Sequence, residues 1–168
     1  MIKLYANPYD ISAGGFCFSS EEEYNAKALA LRNDYGDPVE EFEIDFIDAD
    51  IIDCELADAW RLNQCNFPDY LEKCDEWEDG EKVRFIIAVG ECGFDADEAK
   101  KDPYNLDIDI YECDSMRELA ERFVDEGLFG DIPEHLQNYI DYEAIARDLS
   151  FDYSETVIDG SRLIYRCL

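Results

Sequence analysis

The side chains with the widest chemical range are one histidine, His135, seven cysteines (Cys17, Cys54, Cys65, Cys74, Cys92, Cys113 and Cys167) and 43 carboxylates. A lone imidazole cannot supply a two-histidine metal site, an H-E-x-x-H helix or an extended proton relay. A Cys-His nucleophile would need one of the seven thiols brought against His135, whereas two residues after Pro133 it reads as a polar residue in the first turn of a short helix. The cysteines are odd in number, none stands in C-x-x-C spacing and several fall at apolar helix positions. They are therefore read as reduced thiols in a reducing cytoplasm rather than a disulfide framework. Acid pairs of the glycosidase kind arise everywhere among so many carboxylates, so no pair is singled out. Asp48-x-Asp50 and Asp95-x-Asp97 open like calcium loops, yet neither combines an acid or amide at the fifth position, Gly at the sixth and Glu at the twelfth. Neither catalysis, nor a metal, nor a cofactor is expected.

The elements that position these groups follow from pattern. Ile2 and Leu4 alternate with Lys3 and Tyr5 as a strand that ends in a turn at Asn7-Pro8, and Gly14-Gly15 leads into a second strand, Phe16-Cys17-Phe18. Ser19 with Glu22, or Ser20 with Glu23, forms a capping box for a helix with Tyr24, Ala28 and Leu31 on its apolar face. Glu41-Phe42-Glu43-Ile44-Asp45-Phe46 is the clearest strand, with Phe42, Ile44 and Phe46 facing in and the acids facing out; Asp48, Asp50 and Asp53 extend the acid row. From Asp53 the period turns helical through Leu56, Ala59 and Trp60, and a helix restarts at Asn66-Phe67-Pro68 through Leu71, Cys74 and Trp77. Asp79-Gly80 reads as a break before Val83 to Val89, a run of strand-favouring residues with helical neighbours that we assign to a buried helix. Asp95 caps a short helix, and Asp102-Pro103 marks a domain boundary.

A second acid-bearing strand follows, with Asp107, Asp109 and Glu112, then a helix capped by Ser115 and stopped by Gly127. Pro133 opens a helical turn, Asp141 caps another helix, and Asp159-Gly160 marks a hairpin whose last strand carries Arg162 and Arg166, placed to pair with acids across the sheet.

The apolar fraction of 47% and aromatic fraction of 14% exclude a disordered acidic tail. The net charge is nevertheless −29, and it is spread along the chain: 15 acids and 3 bases in residues 1–60, 12 and 6 in 61–103, 16 and 5 in 104–168. Repulsion on this scale opposes the compact state. Salt adaptation fits poorly with the many cysteines and large apolar groups. The charge repels nucleic acid and anionic membrane and attracts basic grooves. No apolar run approaches the ~18 residues of a membrane span and no leader is recognisable, so a cytoplasmic protein is expected. At about 1.7 Å of duplex per charge, the −29 of one chain matches roughly 50 Å of duplex, and a dimer roughly twice that.

Residues 130–149, GDIPEHLQNYIDYEAIARDL, resemble the C-terminal segment of the ArdA antirestriction family, with the pattern G-[DE]-[IV]-P-x-x-L-Q-N-Y-I-D-Y-x-A-x-x-R-D-L. Gly130, Asp131, Ile132, Pro133, Leu136, Gln137, Asn138, Tyr139, Ile140, Asp141, Tyr142, Ala144, Arg147, Asp148 and Leu149 fit it. The IKLYAN start, the E-x-F-E-I-D strand and the helix before Gly127 extend the likeness more weakly. The resemblance implies an elongated chain of three small domains: an N-terminal α+β domain (1–60), a helical middle domain (61–103) and a C-terminal α+β domain that dimerises (104–168). It implies a B-DNA mimic in the groove of type I restriction-modification enzymes, chiefly the methyltransferase core of methylation and specificity subunits, acting as a homodimer by competition. The expected mimic face comprises Glu41, Glu43, Asp45, Asp48 and Asp50; Asp69, Glu72, Asp75, Glu76 and Asp79; and Asp107, Asp109 and Glu112. Leu128, Phe129 and Ile132 are the expected dimer seam. The rival from another class is an immunity-type inhibitor that plugs a nuclease toxin with acids; a hydrolase using paired carboxylates comes third.

Overall fold

The computed structural model describes residues Met1–Leu168, which fall into two compact units, Met1–Asn105 and Leu106–Leu168. Both mix helices with a small antiparallel sheet, and no helix is long and apolar enough to cross a membrane.

In the first unit, β1 (Lys3–Pro8) lies between β2 (Phe16–Phe18) and β3 (Phe42–Asp48). The register sets Leu4 beside Phe18 and Phe46, and Ala6 beside Phe16 and Ile44. Alternation therefore gathers Leu4, Ala6, Phe18 and Ile44 on one buried face. Helix α1 (Glu21–Ala30) drops Tyr24 onto that face, its ring centroid 5.0 Å from Phe18 and 4.6 Å from Phe67. Of the two possible N-caps, Ser20 is the one used, and the reciprocal half of a capping box goes one residue earlier, to Ser19. The Ser20 hydroxyl accepts from the Glu23 N–H at 3.2 Å, while the Glu23 carboxylate accepts from the Ser19 N–H at 2.8 Å.

The rest of this unit is helical: α2 (Ile51–Trp60), α3 (Phe67–Glu76), α4 (Asp79–Phe85), a π-helical continuation (Ile86–Glu91), α5 (Ala96–Ala99) and a 3-10 turn (Pro103–Asn105). Trp60 centres its core, 4.7 Å from Phe85, 5.9 Å from Trp77 and 6.1 Å from Tyr70. The run Val83 to Val89 is helical, as assigned. Phe85, Ile86, Ile87 and Ala88 are buried in succession, and a helix enclosed on several sides carries no 3.6-residue period. Its last turn widens, with Cys92 N–H donating to the Ile87 carbonyl at 2.9 Å, the i to i−5 bond of a π-helix. Asp79-Gly80 is not a break, contrary to expectation. It forms the first turn of α4, because Glu78 caps that helix and exchanges hydrogen bonds with Glu81.

In the second unit, β6 (Ser161–Cys167) lies between β4 (Ile108–Glu112) and β5 (Ser154–Ile158). The Asp159-Gly160 hairpin turn has φ of 49° and 76°, the left-handed pair required by a type I′ turn. Helices α6 (Met116–Asp125) and α7 (Tyr142–Leu149) accompany the sheet around a core of Cys113, Leu119, Phe123, Tyr153 and Ile164. Gly127, at φ 76°, stops α6 as expected, with Leu128 N–H donating to the Phe123 carbonyl at 3.0 Å. Between the helices Pro133 opens a 3-10 stretch, Glu134–Tyr139, in which nothing is buried.

Candidate functional site

The thirteen expected acids stand on regular elements or at their ends. Glu41 precedes β3; Glu43, Asp45 and Asp48 belong to it; Asp50 stands at the N-cap position of α2 without a side-chain capping bond. Glu43 and Asp45 lie opposite Asn7 and Tyr5 on the sheet face away from Leu4 and Ile44, about 6.6 Å apart along the strand. The alternation then fails. A bulge between Lys3 and Leu4 pairs Leu4 with Phe46 but Lys3 with Asp48, leaving Ile47 half exposed between them.

On α3, Asp69, Glu72 and Glu76 share a helix face at i, i+3 and i+7, spanning about 10 Å. That stripe is partly neutralised: Lys73 Nζ meets Glu76 at 2.6 Å and Lys100 Nζ reaches Asp69 at 3.5 Å. The Glu76 hydrogen bond holds the Lys73 ammonium above the ordinary lysine range, and Asp97 with Asp69 does the same for Lys100, which also lies 5.2 Å from the Trp60 ring centre. Asp75 and Asp79 are exposed. Eleven of the thirteen side chains are exposed and two, Asp45 and Asp109, are half-buried, so nearly the whole set is open to a partner.

Two acids of the rows are used internally. Asp109 shares the sheet face of Tyr111 and Ile164, and its carboxylate takes a 2.6 Å bond from Arg166, whose guanidinium lies 5.0 Å from the Tyr153 ring centre. The expected cross-sheet pairing of Arg166 and Arg162 is thus realised, the latter with Glu155 at 3.4 Å, and Asp109 is the least available member of the set. Asp53, taken with the acidic loop, is instead buried in α2 and paired with the buried Lys82 of α4 at 2.6 Å. The signal was present, since Asp53, Leu56 and Trp60 sit at i, i+3 and i+7 on the buried face. Lys82 is the residue that sequence reasoning missed.

The expected seam is open. Leu128 and Phe129 are 57% and 54% exposed, Ile132 is half-buried, and Leu136 and Tyr139 beside them are exposed too. Ile132 also lines a cleft of about 250 Å³ with Val124, Asp131, Gln137 and Tyr142. His135 is exposed within the same 3-10 stretch.

No group of three or more His, Cys, Asp or Glu side chains is arranged to hold a metal ion. Cys17, Cys54, Cys65, Cys74 and Cys113 are free thiols; the expectation of reduced thiols is withdrawn for Cys92 and Cys167. Burial pushes the Cys74 thiol up to about 12, which makes it inert as a nucleophile at neutral pH.

Fold and surface together define an acidic α+β protein whose distinctive chemistry lies in carboxylates displayed on regular elements. A family model described as antirestriction protein (ArdA) matches residues 20–162, and the chain belongs to that family. It is accordingly an antirestriction protein, an inhibitor of restriction-modification enzymes rather than an enzyme. No curated protein matches the chain.

Proposed function

We propose that this chain inhibits type I restriction-modification enzymes by occupying the DNA groove of their methyltransferase core, built from methylation and specificity subunits, with carboxylates in place of phosphates. The observation that carries this reading is the exposure of eleven of the thirteen acids on rigid elements, within a chain of net charge −29. Carboxylates carried on helices and strands need no ordering of the backbone on binding, so the entropic cost of meeting a basic groove is confined to their side-chain rotamers. The working form is a cytoplasmic homodimer, joined through Leu128, Phe129 and Ile132 into a mimic of roughly 100 Å of duplex, at about 1.7 Å per charge. Three small domains, 1–60, 61–103 and 104–168, supply the segments of that mimic.

The test is co-purification with a purified type I methyltransferase core, with duplex DNA as competitor. DNA displaces the inhibitor, and affinity falls steeply as salt rises. Simultaneous occupancy by DNA and inhibitor, or salt-independent affinity, refutes groove occupation.

A further inference from the structure

Next to the first acid row, where the Tyr9 N–H donates to the Glu41 carbonyl at 3.1 Å, two loops of the first unit are locked together and carry exposed apolar side chains. The loop after β1 (residues 9–15) and the loop after α1 (residues 31–38) meet through Asn33 and Asp10. Asn33 Nδ2 donates to the Asp10 carboxylate at 2.9 Å, and Asp34 N–H donates to the Ser12 carbonyl at 3.0 Å. Asp10 also accepts from the Ser12 N–H and hydroxyl at 2.9 and 2.7 Å. On the other side, the Asn33 side-chain oxygen accepts from the N–H groups of Tyr35 and Asp37 at 3.0 and 2.9 Å, while Gly36 adopts φ 88°. Both loops are therefore held in one conformation by polar contacts alone.

What they hold outward is apolar. Tyr9 is 65% exposed, Ile11 101% and Tyr35 83%. Tyr9 and Ile11 flank the clamping Asp10, and Ile11 and Tyr35 each adjoin the bond from Asp34 to Ser12, so the three are carried on adjoining stretches of backbone. None is needed to fill the core. A pre-ordered display of tyrosines and an aliphatic side chain matches the composition of protein-binding hot spots and lowers the ordering cost of association. Its rim specifies the partner. Asp34 and Asp37 are exposed, and the one base in the two loops, Arg32, spends its guanidinium on the Leu29 and Leu31 carbonyls at 2.9 and 2.6 Å.

We infer that the platform of Tyr9, Ile11 and Tyr35 docks on protein surface beside the basic groove of the target, in apolar pockets rimmed by Lys or Arg, a contact that DNA itself does not make. The inference rests on the proposed groove occupation and adds a part of the binding energy that salt does not screen.

The experiment compares the chain with its Ile11→Ser/Tyr35→Ser variant for affinity toward a purified type I methyltransferase core, at low and at high salt. Because both side chains are almost fully exposed, the variant keeps the parent melting temperature. Its affinity falls roughly tenfold at both salt concentrations, leaving the salt slope unchanged, as expected for loss of an apolar contact at an interface. Equal affinity of variant and parent overturns the docking platform while leaving groove occupation intact. A loss seen only at low salt, or a change in oligomeric state, also overturns it, the latter assigning the platform to a second copy of this chain. Failure of the parent itself to bind removes both readings.

Discussion

Replacing Lys82 with Met tests the least expected feature of the first unit. The Lys82 ammonium and Asp53 carboxylate are 2.6 Å apart, with side chains only 8% and 9% exposed. The nearby Tyr70 hydroxyl donates to the Asp53 backbone carbonyl at 2.8 Å and so does not serve the carboxylate. Methionine keeps the length of the stem but leaves the buried anion without a counter-charge, at a cost of about 3–5 kcal/mol. The 105 residues of Met1–Asn105, at about 2.1 cal/mol/K each, carry an unfolding entropy of about 0.22 kcal/mol/K. The melting temperature of this unit therefore falls by roughly 14–23 °C, read by calorimetry at neutral pH. The double variant Asp53→Leu/Lys82→Met recovers most of the loss, because no buried charge remains. A single variant melting within about 3 °C of the parent would falsify the assignment of an uncompensated buried charge, as would a double variant no better than the single.

The same pair gives an alkaline signature. Burial lowers the Lys82 pKa, but the hydrogen bond and charge of Asp53 outweigh it and leave it raised; Cys74 is pushed up to about 12, chiefly by burial. Groups that hold protons more tightly when folded add stability at neutral pH and lose it as pH rises, from about 8.5 for a thiol and about 10.4 for a lysine. Urea midpoints should decline from about pH 9 upward, and Cys74→Ala should delay the onset; flat midpoints across that range contradict the burial of both groups. Phe129→Glu should convert the proposed dimer to a monomer by light scattering without lowering the melting temperature, since the ring is half exposed; a variant that stays dimeric places the seam elsewhere. Added sodium chloride should raise the melting temperature by screening the self-repulsion of −29; an unchanged value means that repulsion is not a cost.

Local signals were the most legible part of the fold. Ser20, Asp95, Ser115 and Asp141 each cap a helix through the N–H three residues on, because that geometry is settled within one turn of chain. The Asp159-Gly160 hairpin is legible for the same reason. Less legible were features set by distant partners. Asp109 and Glu43 read alike as outward acids of alternating strands. Only the register that brings Arg166 opposite Asp109, 57 residues away, distinguishes them. Asp53 was misplaced because its partner lies 29 residues on, and charge alone does not reveal which acid is compensated. Asp79-Gly80 misled because glycine is read as a breaker, whereas the capping box at Glu78 and Glu81 offsets its poor helix propensity. In the candidate site, the exposure of Leu128 and Phe129 followed from a segment rich in Gly and Pro that buries nothing in its 3-10 turn.

The position of β3 at the rim of its sheet gives its acids a second consequence. An outer strand of seven residues presents unpaired backbone groups to any extended chain. One end is covered, since the Gln64 side chain bonds the Phe42 N–H at 2.9 Å and the Glu40 carbonyl at 2.8 Å, in the manner of a short neighbouring strand. Beyond Phe42, Glu43, Asp45 and Asp48 guard the rest by repelling the same strand of another molecule. Removing this charge therefore has a consequence besides the weaker groove attraction proposed above. It also exposes an edge to strand pairing between molecules.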